Sequence, residues 1–432
     1  MVYQIFTLGC KVNQTESAGL SQILQAEGHI PAHGDAVPEL LLVNSCAVTG
    51  ESVRKAKQLL RSLRRRFPAS VIVLTGCWPQ AFPQDDFADA DFVTGTKNRA
   101  LLLDYLAARP VHHAQTETQI PPYASGDAFS PLPCADTERT RAFLKIQDGC
   151  NQFCTYCIIP FARGRCRSMP PERLEQEAAA LASQGFREIV LTGINLGFFG
   201  MDTGQTLAEA VAVCAAQKGI CRVRLGSLEP ERMTEDTLLA LRACKKLCPQ
   251  FHLSLQSGSD AVLQRMHRRY DTAQYRALAE RIHTLFSDAA LTTDVIVGFP
   301  GETDADFAQT MRFVQEIGFA KVHVFPYSPR EGTKAAEFPD QVPQNIKTQR
   351  AAELSALADR VRSAHLAKYV GKQAEVLVEN EKHKDTRHFY QGHTADGTLV
   401  KIFAENAEKG LQNSLICVTI EGYEQDALTA RL

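Results

Sequence analysis

Short apolar runs alternate with helix-like stretches through residues 1–100. Glu16–Ala26 has helical periodicity, and the longer helical stretch Glu51–Phe67 is strongly basic and ends before Pro68. Strands and helices that alternate in this way form a parallel sheet with helices on both faces. The apolar runs that we predict to be its strands are Tyr3–Leu8, Leu40–Val43, Val71–Leu74 and Phe92-Val93.

A second alternation of strands and helices runs from Arg141 to about Ser328. It contains fewer strand candidates than the eight of a complete β/α barrel, so we expect a partial (β/α)6 barrel. The active site of such a barrel is built from the loops at the carboxyl ends of its strands, so these loops should face one chamber. The strand candidates are Ala142–Gln147, Glu188–Thr192, Arg222–Gly226, Phe251–Leu255, Leu291–Val297 and Lys321–Phe325.

The rest of the chain divides at changes of composition. Proline and glycine interrupt residues 108–140, which indicates a linker. From Gly371 onward, short strand patterns and the turn Asp396-Gly397 are typical of a small antiparallel β-barrel. The predicted fold is therefore α/β, with a parallel-sheet domain at 1–107, the linker at 108–140, the partial barrel at 141–369 and the small β-barrel at 370–432.

The composition is that of a globular protein, with 44% of the 432 residues hydrophobic and 22% charged. The first residues lack a basic segment and a cleavage site, and no apolar run approaches the roughly 20 residues needed to span a bilayer. We therefore expect a cytoplasmic protein with no membrane partner. The formal net charge of −2 decides nothing about nucleic acid, because a local basic patch is enough to bind it.

Cys150, Cys154 and Cys157 form a C-x3-C-x2-C pattern, with Tyr156 before the last cysteine. In a reducing compartment these thiols are not expected to form disulfides. A structural zinc site needs four ligands, usually as two C-x2-C pairs, and no obvious fourth ligand is nearby. Three cysteines can instead hold a [4Fe–4S] cluster and leave one iron open for a small molecule.

Cys10, Cys46 and Cys77 each lie just past the end of a predicted strand. Ligand sites in open α/β sheets lie at the carboxyl edge of the strands, so these cysteines should converge in space. A single free cysteine is most often a small buried hydrophobe. Three at equivalent strand ends favour a second three-cysteine cluster.

These motifs resemble those of the radical S-adenosylmethionine (SAM) methylthiotransferase family along the whole chain. Lys11–Gln14 and Gln147–Gly149 are most similar to the branch that acts on threonylcarbamoyladenosine in tRNA, whereas Thr15 and Ser45 depart slightly from the pattern. The matching segments are Leu8–Gln14, Val43–Cys46, Thr75–Cys77, Lys145–Cys154, Ser254–Ser259 and Asp294–Gly301.

The resemblance implies a radical SAM barrel, a C-terminal RNA-binding barrel of the TRAM type and two [4Fe–4S] clusters with SAM. Cys150, Cys154 and Cys157 would hold the cluster that cleaves SAM, and the Cys10, Cys46 and Cys77 cluster would hold the sulfur to be inserted. The activity would add a methylthio group to C2 of N6-threonylcarbamoyladenosine next to the anticodon. The reaction would also need an external electron donor and a sulfur donor.

Side chains on the other barrel loops are candidates for holding SAM. Arginine suits bidentate binding of a carboxylate, so Arg268 is a candidate partner of the methionyl carboxylate. The other candidates on these loops are Gly193, Asn195, Ser227, Glu229, Gln256 and Ser257, and Tyr156 of the cysteine motif is a further candidate. A basic helix and a basic run in the last domain could contact RNA, although a solvated charged face is an equal alternative. These basic candidates are Arg54, Lys57, Arg61, Arg64, Arg65, Lys382 and Lys384.

Two classes of alternative stay open at the level of sequence. The same chemistry could act on isopentenyladenosine in tRNA or on an aspartate of a ribosomal protein, because only the substrate pocket would differ. A non-catalytic iron–sulfur RNA-binding protein is the alternative from a different class. The convergence of six barrel loops on the cysteine motif favours an enzyme.

Overall fold

The computed structural model describes residues 1–34, 36–108, 111–112, 115–133, 140–384, 387–404 and 410–432, except for the side chains of His383, Lys384 and Arg387. Residues 1–119 contain a six-stranded sheet in the order β2-β1-β3-β4-β5-β6, with every neighbouring pair parallel. Its elements are β1 Val2–Thr7, α1 Lys11–Ala26, β2 Ile30–Pro31, β3 Leu40–Ser45, α2 Gly50–Arg66, β4 Val71–Gly76, α3 Cys77–Ala81, β5 Phe92–Thr94, α4 Ala100–Ala107 and β6 Glu117–Gln119.

Helices cover both faces of this sheet, and successive side chains of a strand point to opposite faces, so both sets of side chains are buried. Leu41 and Val43 pack with α2 and α3 on one face, whereas Leu40 and Leu42 pack with α1 and α4 on the other. Helix α2 begins where the Thr49 side chain accepts a hydrogen bond from the Ser52 amide.

The second domain is the expected partial barrel, with two parallel sheets in the orders β11-β10-β7 and β12-β13-β14-β15 and an antiparallel pair, β8 with β9. Its elements are β7 Arg141–Lys145, β8 Gln147–Asp148, α5 Ile159–Arg163, β9 Arg167–Ser168, α6 Pro171–Ser183, β10 Glu188–Thr192, α7 Leu207–Ala216, β11 Arg222–Leu225, β12 Ser227–Leu228, α8 Glu235–Arg242, β13 Gln250–Leu253, α9 Asp260–Arg265, α10 Thr272–Leu285, β14 Ala290–Val297, α11 Asp304–Ile317, β15 Lys321–Pro326 and α12 Gln344–Ala367.

The last domain is a closed barrel in the order β16-β17-β18-β20-β19. Its strands are β16 Gln373–Lys384, β17 Arg387–Thr394, β18 Leu399–Phe403, β19 Leu415–Glu424 and β20 Ala427–Arg431. The β18–β20 pair is parallel, so the barrel is mixed, whereas we expected an antiparallel one. The difference arises from β20, a short fifth strand that closes the barrel and that the sequence pattern did not reveal.

Two buried arginines of β11 attach this small barrel to the partial barrel. Arg222 donates to the backbone carbonyls of His393 and Glu375 at 3.1 and 2.9 Å, and Arg224 donates to the Ala395 carbonyl at 2.9 Å. Arg224 also forms an ion pair with Glu188 at 2.7 Å. The alternating Arg-Val-Arg-Leu sequence of β11 thus places cations on one face and core residues on the other. No helix in the described residues is long and apolar enough to cross a membrane.

Candidate functional site

Cys10, Cys46 and Cys77 lie at one edge of the N-terminal sheet. Strands β1, β3 and β4 are adjacent, and each of these cysteines follows the end of one of them. Cys46 and Cys77 are buried and Cys10 is exposed. The three cysteines lie together as predicted, since adjacent parallel strands end at the same edge of the sheet.

Two glycines bring the backbone close enough for this arrangement. Gly9 has φ +124°, and a Cβ atom there would lie 2.8 Å from Cβ of Cys46, so the Cys10 loop packs directly on Cys46. Gly76 has φ +105°, and a Cβ atom would lie 2.4 Å from the Ser45 carbonyl oxygen. A residue with a side chain would be strained and would clash at both positions, and each glycine immediately precedes a cysteine.

The electrostatics of these thiols show that they are close neighbours. Burial raises the pKa of Cys77 to about 12, and Cys46 and Cys10 add to the rise while Arg163 opposes it. Burial also raises the pKa of Cys46, and Cys10 contributes again. Three crowded thiols lose their protons only beside positive charge, which iron supplies.

Cys150, Cys154 and Cys157 lie on the loop between β8 and α5. Burial raises the pKa of Cys150 to about 12 and raises those of Cys154 and Cys157. Arg268 Nη1 donates to Cys154 Sγ at 3.1 Å, and the Gln152 amide donates to Cys150 Sγ at 3.4 Å. These donors suit a thiolate, because a hydrogen bond to the charged form favours it.

Each group offers three cysteine thiols, the donor set that can hold a [4Fe–4S] cluster. In the described part of the chain, no three histidine, cysteine or acidic side chains are arranged to hold one metal ion. The thiolates of a [4Fe–4S] cluster bind different irons, so they are spaced more widely than ligands of one ion. Two residues after Cys150, neither polar atom of the buried Gln152 side chain has a hydrogen-bond partner among the described residues, so both are available to a bound polar group.

The proposed SAM-binding residues lie on the barrel loops, but their contacts differ. Asn195 caps the short helix Leu196–Phe198, and its Nδ2 lies 4.0 Å from Cys150 Sγ. A Cβ atom on Gly193 would meet the Gln147 side chain at 2.8 Å, so this glycine allows close packing. Ser227 lies in β12.

Other members of that set already have partners within the protein. Arg268 pairs with Glu229 as well as contacting Cys154. Ser257 is fully buried, lies 3.4 Å from the Thr310 hydroxyl and accepts from the Ser259 amide, so it supports a turn. The Gln256 backbone bonds to β14, and the Tyr156 ring packs against Phe299. Their roles toward SAM stay predictions.

A network of buried ionic side chains, here named the charge bridge, links the two cysteine groups. Arg163 is fully buried; its Nε donates to Cys77 Sγ at 3.3 Å, and its Nη1 donates to Glu16 at 2.9 Å and Asp148 at 3.1 Å. Asp148 in turn accepts a hydrogen bond from the Gly149 amide at 2.8 Å, next to Cys150. One arginine and one aspartate therefore separate the two sites.

The charge bridge has excess positive charge beside Cys77. Its described cations are Arg99, Lys145, Arg163 and Arg167, and its carboxylates are Glu16 and Asp148. Four cations against two carboxylates favour an anionic group at the neighbouring thiol. None of these residues was among the predicted site residues, although Lys145 at the end of the otherwise apolar run of β7 was a signal.

The basic residues of α2 are partly neutralised. Arg54 pairs with Glu51. Three others pair with aspartates on the loop between α3 and β5: Lys57 with Asp85 at 3.1 Å, Arg61 with Asp89 at 4.0 Å and Arg64 with Asp91 at 2.6 Å. Arg65 and Arg66 are exposed and, within the described residues, form no ion pair. Lys382 is exposed on β16, and the side chain of Lys384 lies outside the described residues.

Comparisons with known proteins agree with this architecture. Residues 144–314 match the Radical SAM superfamily, and residues 2–95 match the uncharacterized protein family UPF0004. The chain is 38% identical over 379 residues to the threonylcarbamoyladenosine tRNA methylthiotransferase MtaB of Thermotoga maritima, covering 87% of this chain and 86% of that protein.

A second kind of relative differs in the modified base that its name gives. The tRNA-2-methylthio-N(6)-dimethylallyladenosine synthase of Pelotomaculum thermopropionicum is 34% identical, covering all of this chain and 97% of that protein. Among solved structures, the radical SAM methyltransferase TsrM of Kitasatospora setae aligns with a TM-score of 0.56 at 14% identity, covering 78% of this chain and 74% of that chain. This last likeness shows the fold alone.

Proposed function

The chain belongs to the radical SAM methylthiotransferases, and we propose on that premise that it adds a methylthio group to C2 of N6-threonylcarbamoyladenosine beside the anticodon of tRNA. The family resemblance predicted from the motifs is confirmed. The observation that carries the proposal is the pair of cysteine groups, one on each domain, joined by Arg163 and Asp148. A single group would support radical chemistry, whereas the pair also provides a place for the sulfur.

The Radical SAM superfamily implies a [4Fe–4S] cluster and SAM. We assign that cluster to Cys150, Cys154 and Cys157, and a second, auxiliary [4Fe–4S] cluster to Cys10, Cys46 and Cys77. When bound and reduced, the first cluster supplies the electron that cleaves SAM to a carbon radical, and the auxiliary cluster supplies a sulfur site.

The chain's own residues hold these groups in place. Arg268 orients the Cys154 thiolate, and Glu229 fixes the arginine in turn. Gln147 is fully buried. Its side-chain oxygen accepts a hydrogen bond from the Asn195 backbone amide at 2.8 Å, and its side-chain amide donates to the Gly149 carbonyl at 2.7 Å. Gln147 thus connects two barrel loops. The charge bridge joins the N-terminal domain to the partial barrel and fixes their relative position.

The substrate side of the proposal follows from the relatives and from the surface. tRNA is the substrate of the relatives by their names, and the C-terminal barrel with the exposed end of α2 supplies candidate contacts for it. Because an adenine C–H bond is unreactive toward side chains, electrons and sulfur have to arrive from donors outside the chain.

The test is an iron count combined with SAM cleavage on anaerobically reconstituted protein. The wild type is expected to hold about eight irons and to release 5′-deoxyadenosine on reduction, whereas the Cys10→Ala/Cys46→Ala/Cys77→Ala variant holds about four and still cleaves SAM. Only about four irons in the wild type would refute the assignment of an auxiliary cluster to Cys10, Cys46 and Cys77. Eight irons without SAM cleavage would leave a non-catalytic iron–sulfur protein.

A further inference from the structure

The barrel is open along one side, and α1 of the N-terminal domain lies against β7 at that side. Strands β7 and β15 are the edges of their sheets, and no hydrogen-bonded pairing joins them in the described residues. The Lys11 ammonium, at the start of α1, lies 5.9 Å from the centre of the Phe143 ring on β7. It is also close enough to His323 on β15 to influence its pKa. Lys11 therefore lies beside the β7 edge, and its charge reaches His323 on β15.

Polar side chains of β13, β14 and β15 line the barrel interior. His252 of β13, Asp294 of β14 and His323 of β15 alternate with core residues along their strands, so they face the interior. His252 Nε2 lies 3.4 Å from Asp294 Oδ2, and the two histidine rings lie 6.2 Å apart. The His252 and Asp294 side chains keep 17% and 32% of their exposure, so this wall is accessible from the chamber.

The two kinds of relative differ in one chemical feature of their substrates. A threonylcarbamoyl group carries a carboxylate and a hydroxyl, whereas a dimethylallyl group is a hydrocarbon. Both are attached to N6 of adenine. The ring carbon that carries N6 and the C2 carbon flank the same ring nitrogen, so the N6 group has to lie in the chamber where C2 reacts. A chamber for threonylcarbamoyladenosine needs a cation for the carboxylate, because burying an unpaired charge is costly.

We propose that Lys11 binds the carboxylate of the threonylcarbamoyl group, and that His323, His252 and Asp294 form the polar wall that receives its hydroxyl and carbamoyl. This inference rests on the proposed function and names the residues that recognise its substrate. Lys11 directly follows Cys10, so a carboxylate held there keeps the base beside the proposed auxiliary cluster.

The charges around His323 are consistent with this assignment. Burial lowers the pKa of His323; Lys321, His252 and Lys11 lower it further, and Asp294 opposes them. His323 is therefore neutral near pH 7 and can both donate and accept a hydrogen bond. His323 therefore supplies no positive charge for a carboxylate, and Lys11 is the cation that we assign to it.

The test measures how tightly the reconstituted full-length protein binds two tRNAs that differ only in carrying threonylcarbamoyladenosine or plain adenosine. Lys11→Met is expected to weaken binding of the modified tRNA about tenfold to a hundredfold, the range for losing a hydrogen bond between charged groups, and to leave the plain tRNA unchanged. Lys11→Arg keeps the charge and is expected to retain most of the preference. Lys218→Met, an exposed lysine before β11, is the matched control.

Each other outcome contradicts the proposal that Lys11 binds the threonylcarbamoyl carboxylate. Equal weakening on both tRNAs would mean that Lys11 contacts a phosphate, and no weakening would mean that it contacts neither. Iron content, measured on every variant, separates damage at Cys10 from loss of recognition: a Lys11→Met protein with full iron and an unchanged preference refutes the proposal. If the wild type methylthiolates the modified tRNA in that case, the proposed function stands without this pocket; if it does not, the function itself fails.

Discussion

Replacing Glu16 by glutamine is expected to loosen the junction between the N-terminal domain and the barrel. The substitution keeps the shape of the side chain and removes its charge. Glu16 is almost fully buried and accepts contacts from three cations: Lys145 at 2.7 Å, Arg163 at 2.9 and 3.0 Å, and Arg99 at 2.8 Å. Burial alone would raise the pKa of Glu16, but Arg163, Arg99 and Lys145 hold it well below its ordinary value.

The magnitude follows from leaving buried cations without their shared anion. Removing one partner of a buried ion pair costs about 3–5 kcal/mol, a large part of the roughly 5–15 kcal/mol by which a domain is stable. Asp148 remains as the only carboxylate among the charge bridge residues named above, so the cations repel one another in a dry setting. For a domain of about 100 residues, where 1 kcal/mol shifts the midpoint by roughly 4–8 °C, the loss corresponds to a fall of roughly 12–40 °C in melting temperature.

The single tryptophan provides the assay. Trp78 is buried in α3, beside Cys77, so its fluorescence reports unfolding of the N-terminal domain without requiring two-state behaviour of the whole chain. Iron is removed first, so that cluster loss does not contribute to the signal. Glu316→Gln is the matched control, because Glu316 pairs with Arg276 at an exposed site that solvent screens. A Glu16→Gln midpoint no lower than that of Glu316→Gln would refute the reasoning.

Three further predictions concern acid stability, the cluster environment and RNA. Burial alone would raise the pKa of Asp396, but hydrogen bonds from His365, Thr394 and Tyr369 lower it from 3.8 to about 2. Asp396 therefore contributes about 2 kcal/mol of stability that is present above about pH 4 and lost as the pH falls toward 2. Chemical unfolding of iron-free Asp396→Asn should show a correspondingly smaller loss of stability between about pH 5 and 2 than the wild type, and an unchanged loss would contradict this. Arg268→Met should retain iron but lower the reduction potential of the proposed SAM-cleaving cluster, because Cys154 loses its cationic donor. The potential is measured by redox titration monitored by electron paramagnetic resonance. A potential equal to that of the wild type would count against this contact. Arg65→Ala/Arg66→Ala should reduce the slope of log affinity for tRNA against log salt by about two, whereas Arg54→Ala, whose guanidinium already pairs with Glu51, should change it little; equal slopes for the double variant and the wild type would remove α2 from the RNA surface.

The alternation of strands and helices was predictable because its periodicity is local. The convergence of Cys10, Cys46 and Cys77 was also predictable, since adjacent parallel strands end at one edge. Helix α1 begins at Lys11, earlier than the periodicity from Glu16 indicated, because Cys10 occupies its N-cap position. The sequence signal there was obscured by polar residues whose partners lie in the other domain.

The charge bridge and the proposed substrate site at Lys11 were beyond prediction because their residues come together only when the domains dock. Glu16 and Arg163 are 147 residues apart, and no local pattern pairs them. The aspartates that neutralise Lys57, Arg61 and Arg64 likewise lie on a loop outside α2. Residue types and spacing thus identified the cluster ligands proposed here, whereas the side chains that connect the sites required the structure.

The central claim is most directly tested by the nucleoside that the enzyme produces. Reconstituted protein, SAM, a reductant and tRNA bearing threonylcarbamoyladenosine are incubated without oxygen, and the digested tRNA is examined by liquid chromatography and mass spectrometry. The account predicts the 2-methylthio derivative of threonylcarbamoyladenosine with the wild type, and none with the Cys10→Ala/Cys46→Ala/Cys77→Ala variant even though that variant still cleaves SAM. Unmodified threonylcarbamoyladenosine after SAM cleavage by the wild type, or full product from the variant, would contradict it.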